Sequence, residues 1–265
     1  MKKIWTNLFI LALAASACSA PAAVTTKAVE PLTLTVFAAA SLADAFEEIG
    51  ASYESTHPDV QIKFNFGGSQ TLRTQIEQGA SADVFASANQ KEMDALIQTK
   101  FVTPGAPQVF LTNLLVVVLP AANPAGLVAL EDLTKPSLKL VLAAREVPVG
   151  NYSLQVLDKL DASLGGGFKD KVLGNVVSYE NDVKQVLTKV QLGEADAGIV
   201  YMSDTVSQPG LQKLEIPAEN NVIARYLLAV LDQSKKQVPA QAFVAFVLSD
   251  DGQSILAKWG FIPVK

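Results

Sequence analysis

Leu32-Thr33-Leu34-Thr35-Val36-Phe37-Ala38-Ala39-Ala40-Ser41-Leu42-Ala43-Asp44-Ala45-Phe46-Glu47-Glu48-Ile49 is the stretch on which the fold turns. Leu32–Ala39 is rich in β-formers and reads as a strand. From Ser41 to Ser55 the period changes. Leu42, Ala45, Phe46, Ile49 and Tyr53 recur at three- and four-residue steps, which predicts a helix with one apolar face. A strand that feeds a helix through so short a turn is half of a β-α-β unit, and a chain of such units builds a sheet flanked by helices.

The rhythm continues outward from there. Gln61–Phe66 alternates, with Ile62, Phe64 and Phe66 on one side, and predicts a strand. A helix follows over 69–78, a short strand over 83–87 and a helix over 90–99. Val109–Leu119 reads as one long apolar strand region. The pattern then restarts: strand 138–143, helix 151–160 on Val156, Leu157 and Leu160, strand 176–178, helix 182–192 on Val183, Val186, Leu187 and Val190, and strand 197–200 ending at Tyr201. Ile223–Leu231 is again a strand, and helices over 240–248 and 252–259 close the chain. Two β-α systems joined by two long strands predict two lobes: 32–112 in lobe 1, 113–225 in lobe 2, and 226–265 returning to lobe 1.

Composition narrows the function. Hydrophobic residues make up 49% and charged residues 18%, enough to bury a sizeable core. The net charge of −5 argues against a nucleic-acid partner, which asks for a basic face. With one Cys and one His there is no internal disulfide and no Cys/His zinc site.

Lys2 and Lys3 precede an apolar run over 8–17, too short to span a bilayer but suited to an export signal. The only Cys, Cys18, follows in Ala15-Ser16-Ala17-Cys18, which resembles a lipoprotein processing site. Ordinary cleavage after Ala15-Ser16-Ala17 is the alternative. Either reading makes 1–17 a signal peptide and 18–31, rich in Ala, Pro and Thr, a tether. Losing 1–17 removes Lys2 and Lys3 and no acid, so the charge of −5 becomes −7.

Four strand-to-helix turns are built largely from small or capping residues: Ala40-Ser41, Gly67-Gly68-Ser69, Val147-Pro148-Val149-Gly150 and Glu180-Asn181-Asp182-Val183. Open parallel sheets bind ligands at the carboxyl ends of their strands, where helix N-termini point. Free amides and the helix dipole make such a place an anion site without Lys or Arg. The competing reading makes Ser41 and Ser69 only N-caps. An enzyme is disfavoured: Ser41 is in no nucleophile elbow, His57 reads as a loop residue, and no P-loop occurs.

These segments resemble a known family. Val36-Phe37-Ala38-Ala39-Ala40-Ser41-Leu42 is similar to the first strand–turn–helix of periplasmic molybdate-binding proteins, the solute receptors of molybdate ABC transporters. Gly68-Ser69-Gln70-Thr71-Leu72, with Gln75-Ile76-Glu77-Gln78-Gly79-Ala80, resembles their second. Ala82–Ala88, Val147–Gly150, Gly198–Tyr201 with Ser203-Asp204, and Trp259-Gly260-Phe261 match further segments, so the likeness spans about residues 32–265. It implies a two-lobed α/β periplasmic-binding-protein fold of type II, each lobe a mainly parallel sheet flanked by helices. It carries the ligand contacts over to Ser41 and Ser69 by hydroxyl and amide, to Val149 and Val183 by amide, and to Tyr201 by hydroxyl. Val149 stands where the family often has Ala, and Ala143-Ala144 where it often has Asp-Pro. Simple core packing of Val183 and simple burial of Tyr201 are the competing readings.

The resemblance further implies molybdate or tungstate as ligand, no cofactor and no catalysis. The molybdenum would be bound only as its oxyanion. An ABC permease and its ATPase would be the partners of a monomer that meets the membrane only through Cys18. Six or seven charge-assisted hydrogen bonds at ~1.5–3 kcal/mol each exceed the roughly 8 kcal/mol of a micromolar complex. A site made only of donors leaves the proton of phosphate unpaired and rejects it. Sulfate has the same acceptors and must be excluded by size. Receptors for sulfate, thiosulfate or a small organic anion are the nearest alternatives. A ferric-ion receptor would want adjacent Tyr ligands, whereas the five Tyr stand apart in sequence. A secreted hydrolase is the reading from another class.

Overall fold

The computed structural model describes residues 31–264. The export signal, Cys18 and most of the tether therefore lie outside the described residues. The chain opens with β1 (Leu32–Ala39), a 3-10 turn at Ala40–Leu42 and α1 (Ala43–Thr56). β2 (Val60–Gly67), α2 (Ser69–Glu77), β3 (Val84–Ser87), α3 (Gln90–Gln98) and β4 (Gln108–Asn113) follow. The second lobe holds β5 (Leu115–Leu119), β6 (Leu140–Ala143), α4 (Pro148–Leu164), α5 (Phe168–Gly174), β7 (Val176–Glu180), α6 (Val183–Gln191), β8 (Ala197–Tyr201) and β9 (Gln212–Glu215). The chain returns through β10 (Ala224–Val230), α7 (Gln237–Leu248), α8 (Asp250–Lys258) and the short β11 (Ile262–Pro263).

Two sheets result, ordered β11-β4-β10-β3-β1-β2 and β7-β6-β8-β5-β9. Each has a parallel part, β3-β1-β2 in one and β7-β6-β8 in the other. The strands near the crossings join antiparallel, β10 and β4 in the first sheet and β5 with β9 in the second. The sheets are thus mixed, because the chain crosses between them twice and re-enters each against the direction of the β-α units.

Alternation along β1 explains how one strand supports two layers. Leu34, Val36 and Ala38 join the core that holds Phe46, Ile49 and Tyr53 of α1. Phe37 turns to the opposite face, where it meets Leu72 and Ile76 of α2 and Met93 and Leu96 of α3. In the second sheet β5 is buried throughout, in the same core as α4 and α6. Gly198 lets α6 come down on β8, since a Cβ there would meet the Val186 and Val190 side chains.

The apolar region over 109–119 is two strands, one in each sheet, and this corrects its reading as a single strand. The break follows Asn113, whose amide nitrogen donates to Ser203 Oγ at 2.8 Å and whose oxygen accepts from Leu114 N. At the second crossing Asn221 does similar work. Its oxygen accepts from Leu115 N and Val222 N, and its nitrogen donates to Leu115 O. Three elements had no clear sequence signal: α5, β9 and β11. Among the described residues no helix is long and apolar enough to cross a membrane.

An anion-sized cavity where six parallel strands end

The carboxyl ends of β1, β2, β3, β6, β7 and β8 converge on one cavity between the sheets. Its lining is drawn from the residues just beyond those ends: Ala39–Ser41, Gly67–Ser69, Ala88, Val147–Val149, Asp182–Val183 and Tyr201. All five residues expected at the site, Ser41, Ser69, Val149, Val183 and Tyr201, therefore line the same space, and all are buried. The space is small. The centre of a water-sized sphere can occupy only about 10 Å³ of it, so it suits one compact ion.

Neither serine caps its helix. Ser41 lies inside the 3-10 turn and Ser69 is the first residue of α2, and neither helix start has a side-chain cap. This removes the N-cap reading. Ser69 Oγ instead accepts from Ala88 N at 3.0 Å, and Ser41 Oγ pairs with the Tyr226 hydroxyl at 2.8 Å. The N-cap of α2 is Gly68, where a Cβ would stand 2.5 Å from the Asn181 carbonyl of the opposite lobe.

Backbone donors come from the helix starts, because amides of a first turn have no partner within the helix. In α4 the first such bond runs from Asn151 N to Val147 O, and in α2 from Thr71 N to Gly68 O. The Val149 and Ser69 amides precede those bonds. Pro148 opens α4 without an N–H of its own. In α6, Asp182 caps through Gln185 N at 3.0 Å, and Val183 is the first residue inside. Its second carboxylate oxygen accepts from Gln185 Nε2 at 2.7 Å, so both oxygens are engaged by α6 itself. Four amides and the hydroxyls of Ser41, Ser69 and Tyr201 make seven candidate donors.

Tyr201 is the most informative of them. Its hydroxyl is buried and has no hydrogen-bond partner. An unpaired buried donor is costly and marks a site meant for a further group. Burial pushes the Tyr201 hydroxyl well above the ordinary tyrosine range, so it stays protonated as a donor. Tyr226, read in sequence as one of five scattered tyrosines, packs edge-on against Tyr201 with ring centroids 5.7 Å apart. Separation in sequence was therefore no guide to separation in space. Burial also raises the Tyr226 hydroxyl, whose oxygen is paired with Ser41 Oγ. Among the described residues no group of three or more His, Cys, Asp or Glu could hold a metal.

Beneath Tyr201 lies Asp204, which accepts from Tyr201 N at 3.1 Å through Oδ2. Burial raises its carboxyl to about 7, against the lowering pull of Lys184. Lys184 Nζ is 3.8 Å from Asp204 Oδ1 and 2.8 Å from Asp44 Oδ2 across the cleft. Tyr226, Asp204, Ala88 and the Asp44–Lys184 pair were not named as site residues from sequence. For Ala88 a signal existed, since it follows β3 as Ser41 follows β1. His57 stacks on Tyr53 at the far end of α1, about 20 Å of helix from Ser41, so these two form no Ser–His pair.

Two sheets, a cleft of strand ends and a buried set of neutral donors define a solute-binding protein. Residues 34–262 match the family described as bacterial extracellular solute-binding protein, and the chain belongs to that family. A Mycobacterium tuberculosis relative described as a molybdate-binding protein is 38% identical over 86% of this chain and 84% of its own. A Bacillus subtilis relative, described as a putative ABC transporter substrate-binding lipoprotein, is 33% identical over 96% and 97%. The solved substrate-binding domain of a putative molybdenum ABC transporter from Clostridium difficile is 34% identical, with a TM-score of 0.66, over 88% of this chain and all of that one. The fold is the type II periplasmic-binding-protein fold. The family's role is binding outside the cytoplasm, not catalysis.

Proposed function

We propose that this protein captures molybdate or tungstate between its lobes and delivers it to an ABC permease driven by its ATPase. The observation that carries the reading is the partnerless Tyr201 hydroxyl facing a cavity whose other donors are two serines and four helix-start amides. Charge-assisted hydrogen bonds from neutral donors stabilise a dianion without burying a counter-cation. Contacts at Ser41, Ser69, Val149, Val183 and Tyr201 hold the ion by its oxygens, and no cofactor takes part. The mycobacterial and clostridial relatives support this ligand by what they are described as binding or serving. The Bacillus relative, described as a lipoprotein, supports lipidation at Cys18. The receptor is proposed to act as an anchored monomer.

Calorimetric titration with molybdate, tungstate, sulfate and phosphate at fixed salt tests the reading. One-to-one binding of the first two, with the others weak, is the expected result. Preference for sulfate would move the assignment to another oxyanion, and silence from all four would overturn it. Intact mass of membrane-extracted protein reads the lipid on Cys18 directly.

A further inference from the structure

Each cavity serine has its oxygen held from behind. At Ser69 the holder is the Ala88 amide, 3.0 Å from Oγ. An amide can only donate, so the Ser69 proton is left for the cavity. At Ser41 the holder is the Tyr226 hydroxyl, 2.8 Å away and on β10, outside the cavity lining. Tyr226 is fixed among the rings of Phe110, Tyr201 and Phe261, with centroids 6.4, 5.7 and 5.8 Å away. Its burial leaves the phenol protonated.

The Ser41–Tyr226 contact holds one proton, and its direction matters. If Ser41 donated to Tyr226, a serine lone pair would face the cavity and repel an anion. If Tyr226 donates, Ser41 presents a proton, as Ser69 does. We infer that Tyr226 is a positioning and selectivity residue: by donating to Ser41 Oγ it fixes the Ser41 hydroxyl as a donor, and so favours tetrahedral oxyanions without a proton over those that carry one. The inference rests on the oxyanion-receptor reading and extends it to a residue that touches no ligand. Without the Tyr226 hydroxyl, Ser41 could rotate and accept the proton of hydrogen phosphate.

The test titrates wild type, Tyr226→Phe, Ser41→Ala and the double variant with molybdate, sulfate and inorganic phosphate near neutral pH. Tyr226→Phe is expected to weaken molybdate by about fivefold, the scale of one charge-assisted hydrogen bond that is loosened rather than lost. The molybdate-to-phosphate preference should narrow, while the molybdate-to-sulfate preference stays as it was, because neither of those ions carries a proton. In the Ser41→Ala background the Tyr226→Phe effect should shrink to under about twofold, as coupled residues require. Equal loss in both backgrounds, or equal shifts for sulfate and phosphate, would show a packing role only and overturn the inference. Should Tyr226→Phe fail to fold, Ser41→Ala alone must narrow the preference over phosphate and not that over sulfate. Wild type that binds none of the three anions would instead sink the receptor reading itself, and the inference with it.

Discussion

At the scale of single residues, the site works by occupying acceptors before a ligand arrives. Ser69 Oγ already accepts from Ala88 N, which leaves its proton for the ligand. Ser69→Ala is expected to cost roughly 1–3 kcal/mol of molybdate affinity, since it removes a donor and strands the buried Ala88 amide. Isothermal titration reads this directly, and unchanged affinity would take Ser69 out of the site. Asp204 makes a different prediction. Its carboxyl titrates at about 7 in the folded protein and near 3.8 ordinarily, so between those values the folded state holds a proton the unfolded chain has lost. Stability from this group is therefore highest below about pH 4 and falls as pH rises to about 7. Lys184, Asp44, Asp182, Tyr201 and Tyr226 are the charged or titratable groups around it. A dianion beside Tyr201 would raise the carboxyl further, so binding should weaken as pH rises through neutrality. Asp204→Asn should flatten both slopes in denaturant melts and titrations. Identical slopes in the two proteins would exclude Asp204 as their cause.

At the scale of elements, what sequence exposes is local and what it hides is long-range. The apolar faces of α1 and α6 and the small-residue turns after β1, β2, β6 and β7 are written in consecutive residues. The period and the cap chemistry of a short stretch are enough to find them. Tyr226 carries no such mark, because its role depends on β10 lying in the first sheet and reaching Ser41 across 185 residues. Asn113 did leave a trace. A residue type depleted in strands interrupts an apolar run, and the break falls just after it. Gly68 joins the two kinds of information. Its φ of −60° suits any residue, so Gly68→Ala should fold within about 0.5 kcal/mol of wild type. Yet its new Cβ would stand 2.5 Å from Asn181 O in the other lobe. The variant is expected to keep its melting temperature without ligand and to bind molybdate at least about tenfold more weakly, because overpacking opposes closure. A normal affinity would mean that this contact does not limit closure.

At the scale of the molecule, the contacts between the lobes show what closure adds. Gln70 Nε2 donates to Asn181 O at 3.2 Å, and Ser207 Oγ to Asp44 Oδ2 at 3.2 Å. Lys184 is the telling member. It sits in the first turn of α6, where the helix dipole disfavours a cation. Asp44, in the first turn of α1, and the buried Asp204 offset that cost, and the Asp44 half of the offset exists only when the lobes meet. An exposed pair is worth ~0–1 kcal/mol, and both side chains here keep about a third of their exposure, so the latch trims closure rather than drives it. Lys184→Met should then weaken molybdate by only about two- to fivefold, mostly through faster release, on the scale of such pairs. Added salt should weaken wild type toward the variant, since screening removes the same attraction. Stopped-flow release at low and high salt measures both effects. A variant that releases at the wild-type rate at low salt would remove the pair from the closing equilibrium and leave closure to the ion and its donors.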